Sequence, residues 1–182
     1  MTPYEAYFKC YKQNSRNPKL ESIILQSSEW SYRYARDVIK GRWVEGEASI
    51  LQDPWWSYWY AYYVVRGRWV KGEEVILQDP EWSYYYARDV IEGRWVKGEA
   101  SILQDPWCSY QYAQDVIKGR WVEGESIILQ DPECSYWYAL DVVRGRWVEA
   151  EASILGSEWE SAYCDLFRIE PCELMPKPDY TL

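Results

Sequence analysis

The sequence predicts an all-α fold, a right-handed-type α-solenoid of five 26-residue helix-turn-helix repeats with N- and C-terminal capping helices. Three observations predict it. The segment WSYRYARDVIKGRWVEGEASILQDP, from Trp30 to Pro54, returns from Trp56, Trp82, Cys108 and Cys134 in almost the same letters, and a fixed period between 20 and 50 residues is the mark of a stacked array. Each copy carries two sets of helix punctuation. Both chain ends depart from the pattern, as a solenoid requires where stacking stops.

The elements follow in order. In residues 1–27, Tyr4, Tyr7, Phe8 and Tyr11 make one helical stripe, and Asn17-Pro18 caps a second helix through Gln26. These form the N-terminal capping pair. Residues 28–157 hold the five repeats. Helix A of a repeat opens on Asp53-Pro54, with the same pair at Asp79-Pro80, Asp105-Pro106 and Asp131-Pro132: Asp accepts from open N–H groups, and Pro at the first position has no N–H to leave unbonded. Gly41, Gly67, Gly93, Gly119 and Gly145 are read as its stops. A shorter helix B runs from about Val44 to Gln52. Neither helix is long enough to be stable alone, so stacking must hold them. A last helix A, Ser157 to Ile169, supplies the C-terminal cap over 158–169. The tail 170–182, with Pro171, Pro176 and Pro178, is expected to be extended.

Aligning the copies separates two faces. At about 100° per residue, the constant positions Ser31, Tyr34, Ala35, Val38 and Ile39 share one side of helix A and are read as the stacking core. The changing positions, those of Glu29, Arg33, Arg36 and Lys40, fall within roughly a 60° arc and are read as the outward face. In the second copy that face carries Trp55, Trp59, Tyr62 and Arg66, and Tyr63 replaces the Asp found at 37, 89, 115 and 141. Tyr85 and Arg88 in the third copy, Trp107 in the fourth and Trp137 in the fifth extend it. Outward Trp and Tyr mark interaction surfaces and dominate binding hot spots. These eight residues other than Arg66 (Trp55, Trp59, Tyr62, Tyr63, Tyr85, Arg88, Trp107 and Trp137) are the candidate partner-binding set. Packing on a neighbouring helix A or on a second copy of the chain is the competing reading.

The constant charges read differently. Glu47 recurs at 73, 99, 125 and 151 within the core arc of helix B, and a buried carboxylate needs a partner. Arg42, Arg68, Arg94, Arg120 and Arg146 are equally constant. A structural Arg–Glu–Asp ladder is the expectation. The alternative is a row of anion-binding arginines beside the helix-B N-termini.

Composition bounds the chemistry. Thirteen Trp and eighteen Tyr stand against two Phe, a set suited to half-buried positions and interfaces. The net charge is −9, with residues 1–27 at +2 and residues 158–182 at −4. A nucleic-acid binder is expected to be basic, so direct nucleic-acid binding is disfavoured. There is no histidine, which removes Ser-His-Asp and Cys-His catalysis and the commonest metal ligand. No phosphate-cradling glycine motif occurs. No enzyme activity, cofactor or metal is therefore expected. Cys10, Cys108, Cys134, Cys164 and Cys172 are read as reduced thiols, mostly small core side chains, and with no leader or spanning segment recognised the expected location is the cytoplasm.

Residues 34–47, Tyr-Ala-Arg-Asp-Val-Ile-Lys-Gly-Arg-Trp-Val-Glu-Gly-Glu, resemble a repeat of uncharacterised proteins of tailed bacteriophages and other large viruses, where it commonly reads ARDVIKGRWPEAE. The resemblance covers about 28–157. Val44, Val70, Val96, Val122 and Val148 stand in place of that repeat's Pro. The resemblance implies a viral source, hence the host-cell cytoplasm, and no chemistry. A viral source in turn favours a host protein, a defence component, as the partner. An acidic nucleic-acid mimic and a sponge for a small nucleotide signal are the alternatives.

Overall fold

A computed structural model describes residues 1–170 and 174. Among the described residues there are thirteen α-helical segments and no strand. The chain divides into two compact units, Met1–Ser101 and Ile102–Leu182. Within each, successive helix pairs pack against one another in the manner of an α-solenoid.

The first unit opens with the helices Pro3–Gln13 and Pro18–Ile24. Thr2 and Glu5 form a reciprocal capping box on the first, and Asn17 caps the second. Repeat 1 follows with helix A over Ser28–Tyr34, capped by Ser27, and helix B as a 3₁₀ turn Val44–Gly46 running into Glu47–Ile50. Repeat 2 has Pro54–Trp59 and Val70–Ile76. Repeat 3 has Pro80–Tyr86 and Val96–Ile102. The Asp-Pro starts act as expected: Asp53 accepts from the Trp56 N–H at 3.2 Å, and Asp79 from those of Glu81 and Trp82.

Helix A does not stop where it was expected to. Each continues as a π-helix, over Ala35–Ile39, Tyr60–Val65 and Ala87–Ile91. The N–H groups of Lys40 and Gly41 both reach back to the Ala35 carbonyl. The left-handed residue that ends the helix is Lys40, Arg66 or Glu92, at φ 59°, 57° and 57°, one place before the glycine read as the stop. At Gly41 and Gly93 φ is not positive. The π turn widens the last helical turn, so the reversal falls one residue early and on a side chain that points into solvent.

The core is built from Tyr, Trp and Ile. Tyr34, Ala35, Trp43 and Ile50 are buried, as are their counterparts Tyr60, Ala61, Trp69 and Ile76. Each Tyr ties its repeat to the one before it: the Trp43 N–H donates to the Tyr60 hydroxyl at 2.8 Å, and the Trp69 N–H to that of Tyr86 at 2.7 Å. Burial pushes the Tyr60 and Tyr86 hydroxyls up to about 12. The constant Ser is more than a small residue. Ser31, Ser57 and Ser83 each donate to the carbonyl of an Ile that ends the preceding helix B.

The expected ladder forms with Lys in place of Asp. Glu47 is buried and takes Arg42 at 2.6 Å and Lys71 of the next repeat at 3.1 Å. Glu73 takes Arg68 at 2.7 Å and Lys97 at 3.2 Å. Burial alone would raise both carboxyls; the paired cations outweigh it and hold them below the usual range. Asp37 and Asp89 lie elsewhere, bonded to Tyr7 and Tyr58 and to Arg36 and Arg88. The second glycine of repeats 1 and 2 also gains a reason. A Cβ on Gly46 or Gly72 would overlap the indole ring of Trp43 or Trp69.

The second unit repeats the Ser–Ile, Trp–Tyr and Arg–Glu contacts, while Glu123 and Glu149 stand where the first unit has Lys71 and Lys97. Helix A runs over Pro106–Gln111 into the π-helix Tyr112–Ile117, and over Pro132–Tyr138 into Ala139–Val143. Helix B is Val122–Ile128 in repeat 4, and Val148–Ala150 with Glu151–Ile154 in repeat 5. The last helix is Glu160–Phe167, shorter than the Ser157–Ile169 expected. It is a true terminal helix A: Tyr163 accepts from the Trp147 N–H at 2.8 Å, as the repeat tyrosines do. Cys10 of the first unit and Cys108, Cys134 and Cys164 of the second are buried. Cys172 and the expected extended tail, apart from Glu170 and Leu174, lie outside the described residues.

Candidate functional site

The aromatic set gathers on helix A of repeats 2 and 3. Pro54 and Asp53 fix the start of helix A, which places Trp55 in its first turn. Trp55 is 46% exposed, and its ring meets that of Trp82 edge-on at 4.7 Å. One turn on, Tyr58 is buried and donates to Asp89 at 2.8 Å, anchoring repeat 2 to repeat 3. Trp59 stacks on Tyr63 at 5.2 Å with 16° between the planes, and Tyr62 stacks on Tyr58. Tyr62 and Tyr63 are 40% and 47% exposed. From repeat 3, Tyr85 leans on Tyr58 and Trp82 and lies beneath the Arg88 guanidinium at 4.7 Å. Arg88 is held by both oxygens of Asp89 and by the Tyr84 hydroxyl.

Together these side chains line a groove of about 540 Å³. Six sequence-expected residues meet in it: Trp55, Trp59, Tyr62, Tyr63, Tyr85 and Arg88. Tyr58, Trp82 and Asp89 also line it and were missed, because their positions fall outside the changing arc of helix A. A signal was available for Tyr58: a Tyr present in all five repeats beside a variable ring can bury one edge and offer the other. Arg66, grouped with the outward face by helical projection, is not in the groove.

Trp107 and Trp137, of the second unit, are not among the residues that line this groove. Trp107 is 43% exposed and meets Tyr110 edge-on at 5.4 Å. Trp137 is half-buried against Trp159 at 5.8 Å and Tyr136 at 5.2 Å, so its ring packs on the terminal helix. The arginines weighed as anion sites are engaged. Arg42, Arg68, Arg94, Arg120 and Arg146 each pair with the glutamate five residues on.

No protein-family model, curated protein or solved structure matches the chain. Among the described residues no group of three or more His, Cys, Asp or Glu could hold a metal ion, and no helix is long and apolar enough to cross a membrane.

Proposed function

We propose that the chain is a non-enzymatic helical-repeat binding protein that engages a protein partner through the aromatic groove of repeats 2 and 3. One observation carries the reading: Trp55, Tyr62 and Tyr63 stand exposed together on a helix that does not need them. The same helix folds in repeats 1 and 3 with Glu29, Arg36 and Asp37 or with Glu81, Arg88 and Asp89 in their places. Rings that folding does not require, clustered over a concave surface, fit a binding role.

The groove suits an extended segment with apolar and basic side chains. The rings would cover the apolar groups, and exposed Glu81 at the rim, with the net charge of −9, favours a cationic partner. The likeness of the repeat to viral proteins supports a host protein, a defence component, as that partner. In affinity capture from host lysate, Trp59→Ala with Tyr62→Ala should weaken retention by at least about 2 kcal/mol, roughly thirtyfold. The variant should still unfold in one cooperative thermal transition, which shows that it is folded. Undiminished capture by a folded double variant would overturn the proposal.

A further inference from the structure

A second cavity of the first unit, about 970 Å³, opens at the C-terminal ends of the N-terminal helix and of helix A in repeats 1 and 2. Its charge is one-sided. Lys12, Lys40 and Arg66 line it and, among the described residues, none pairs with a carboxylate. Lys40 donates only to the Asn14 side-chain oxygen at 3.2 Å, Arg66 only to the Tyr63 carbonyl at 3.4 Å, and Lys12 lies over the Phe8 ring. Arg36 and Asp37 also line it but cancel through a two-point contact at 2.6 and 2.9 Å. The cavity therefore carries a net charge of +3 in a chain of net charge −9.

Basic residues at helix C-termini ordinarily complement the exposed carbonyls, and that alone would assign no ligand. Two comparisons within the molecule go further. Repeat 3 ends its helix A on Glu92 with the same left-handed geometry, so the fold does not require a cation there. In the second unit, the corresponding recess sets Lys118 and Arg144 against Asp115 and Asp141 and is neutral. Three positions make the difference, one charge each: Lys12 has no counterpart in the lining of that recess, Arg36 stands where Gln114 does, and the third is Tyr63. Tyr63 occupies the place that Asp141 fills in that recess, so a carboxylate is replaced by a ring, 47% exposed, on the wall of the cavity.

The geometry points to a nucleotide site: phosphate oxygens on Lys12, Lys40 and Arg66, and the base against the Tyr63 ring. Cationic side chains without carboxylate partners bind phosphate through charge-assisted hydrogen bonds, and an exposed aromatic face stacks a base regardless of its identity. The aromatic groove of repeats 2 and 3 is a separate cavity, with Tyr63 on the wall of both.

Isothermal titration with ATP, tripolyphosphate and adenosine tests it. ATP and tripolyphosphate should bind, ATP more tightly, with affinity falling as salt rises; adenosine should bind far more weakly. Lys40→Glu and Arg66→Glu place the Glu92 side chain in an equivalent site, so both variants should fold. Each should weaken ATP roughly tenfold or more and leave partner capture by the aromatic groove intact. Tyr63→Asp should weaken ATP more than it weakens tripolyphosphate relative to Lys40→Glu. Absence of ATP binding to the unaltered chain at millimolar concentration would overturn the inference. So would undiminished binding by the two Glu variants, or adenosine binding as tightly as ATP.

Discussion

Gly72 shows how much one hydrogen atom can matter here. The Trp69 ring lies so close over it that a Cβ would overlap the indole. The fifth repeat carries Ala150 at this position, and there the angle between the Tyr138 and Trp147 rings is 46°, against 54–61° for the same pair in the other four repeats. Gly72→Ala should therefore lower stability by about 1–3 kcal/mol, the cost of overpacking a formed core. Gly93→Ala, with nothing within 4 Å of its Cβ and φ not positive, should stay within about 0.5 kcal/mol of the unaltered chain. Urea unfolding of the two variants separates them, and equal losses would contradict this account of the two glycines. The sequence exposed the recurrence of this second glycine, but the indole above it is a contact that only folding creates. Tyr63 is the opposite case. It stood out simply by breaking the repeat, and the structure puts it on the walls of both cavities.

At the level of elements, the helix starts were legible and the ends were not. An Asp-Pro pair is a local signal, complete within a few residues, and Asp53, Asp79, Asp105 and Asp131 all accept from N–H groups of the first turn. Asp79→Ala should cost about 1 kcal/mol, within the 0.5–2 kcal/mol range of lost N-caps, measurable as a shift of the denaturation midpoint at constant slope. No shift would mean that Pro80 and packing alone fix the start. The π turns have no comparable signature, since changing the hydrogen bond from four residues back to five alters no side chain. Their effect on the face is large. A uniform projection put Arg66 beside Trp55, Trp59 and Tyr62. The π turn and the left-handed residue that follows carry it instead into the basic cavity with Lys40.

Across the whole chain, the titrating groups of the inter-repeat contacts define where it is stable. Glu47 and Glu73 are held below their ordinary value of 4.5 by Arg and Lys partners. Their contribution is thus present above that value and lost as pH falls through the lower folded value. Tyr60, Tyr86 and Tyr163 are raised from 10.0 to about 12 by burial. Their contribution is full below pH 10 and lost as pH rises towards 12. With no histidine in the chain, stability followed by urea midpoint should be nearly level from about pH 5 to 9 and fall on both sides. Tyrosinate absorbance from the buried rings should appear only with unfolding; early ionisation at pH 10 in the folded chain would contradict the placement of these hydroxyls. The sequence by itself determined the repeat, the helix starts, the burial of the constant Ser, Tyr and Ala of helix A and the Arg–Glu pairs, because each is written within one 26-residue copy and copied in its neighbours. Only the tertiary structure decided which variable side chains share a cavity. That depends on the π-helical register and on the offset between successive repeats, which bring Trp55 to Trp82 and Lys12 to Arg66 across stretches of chain that no local pattern spans.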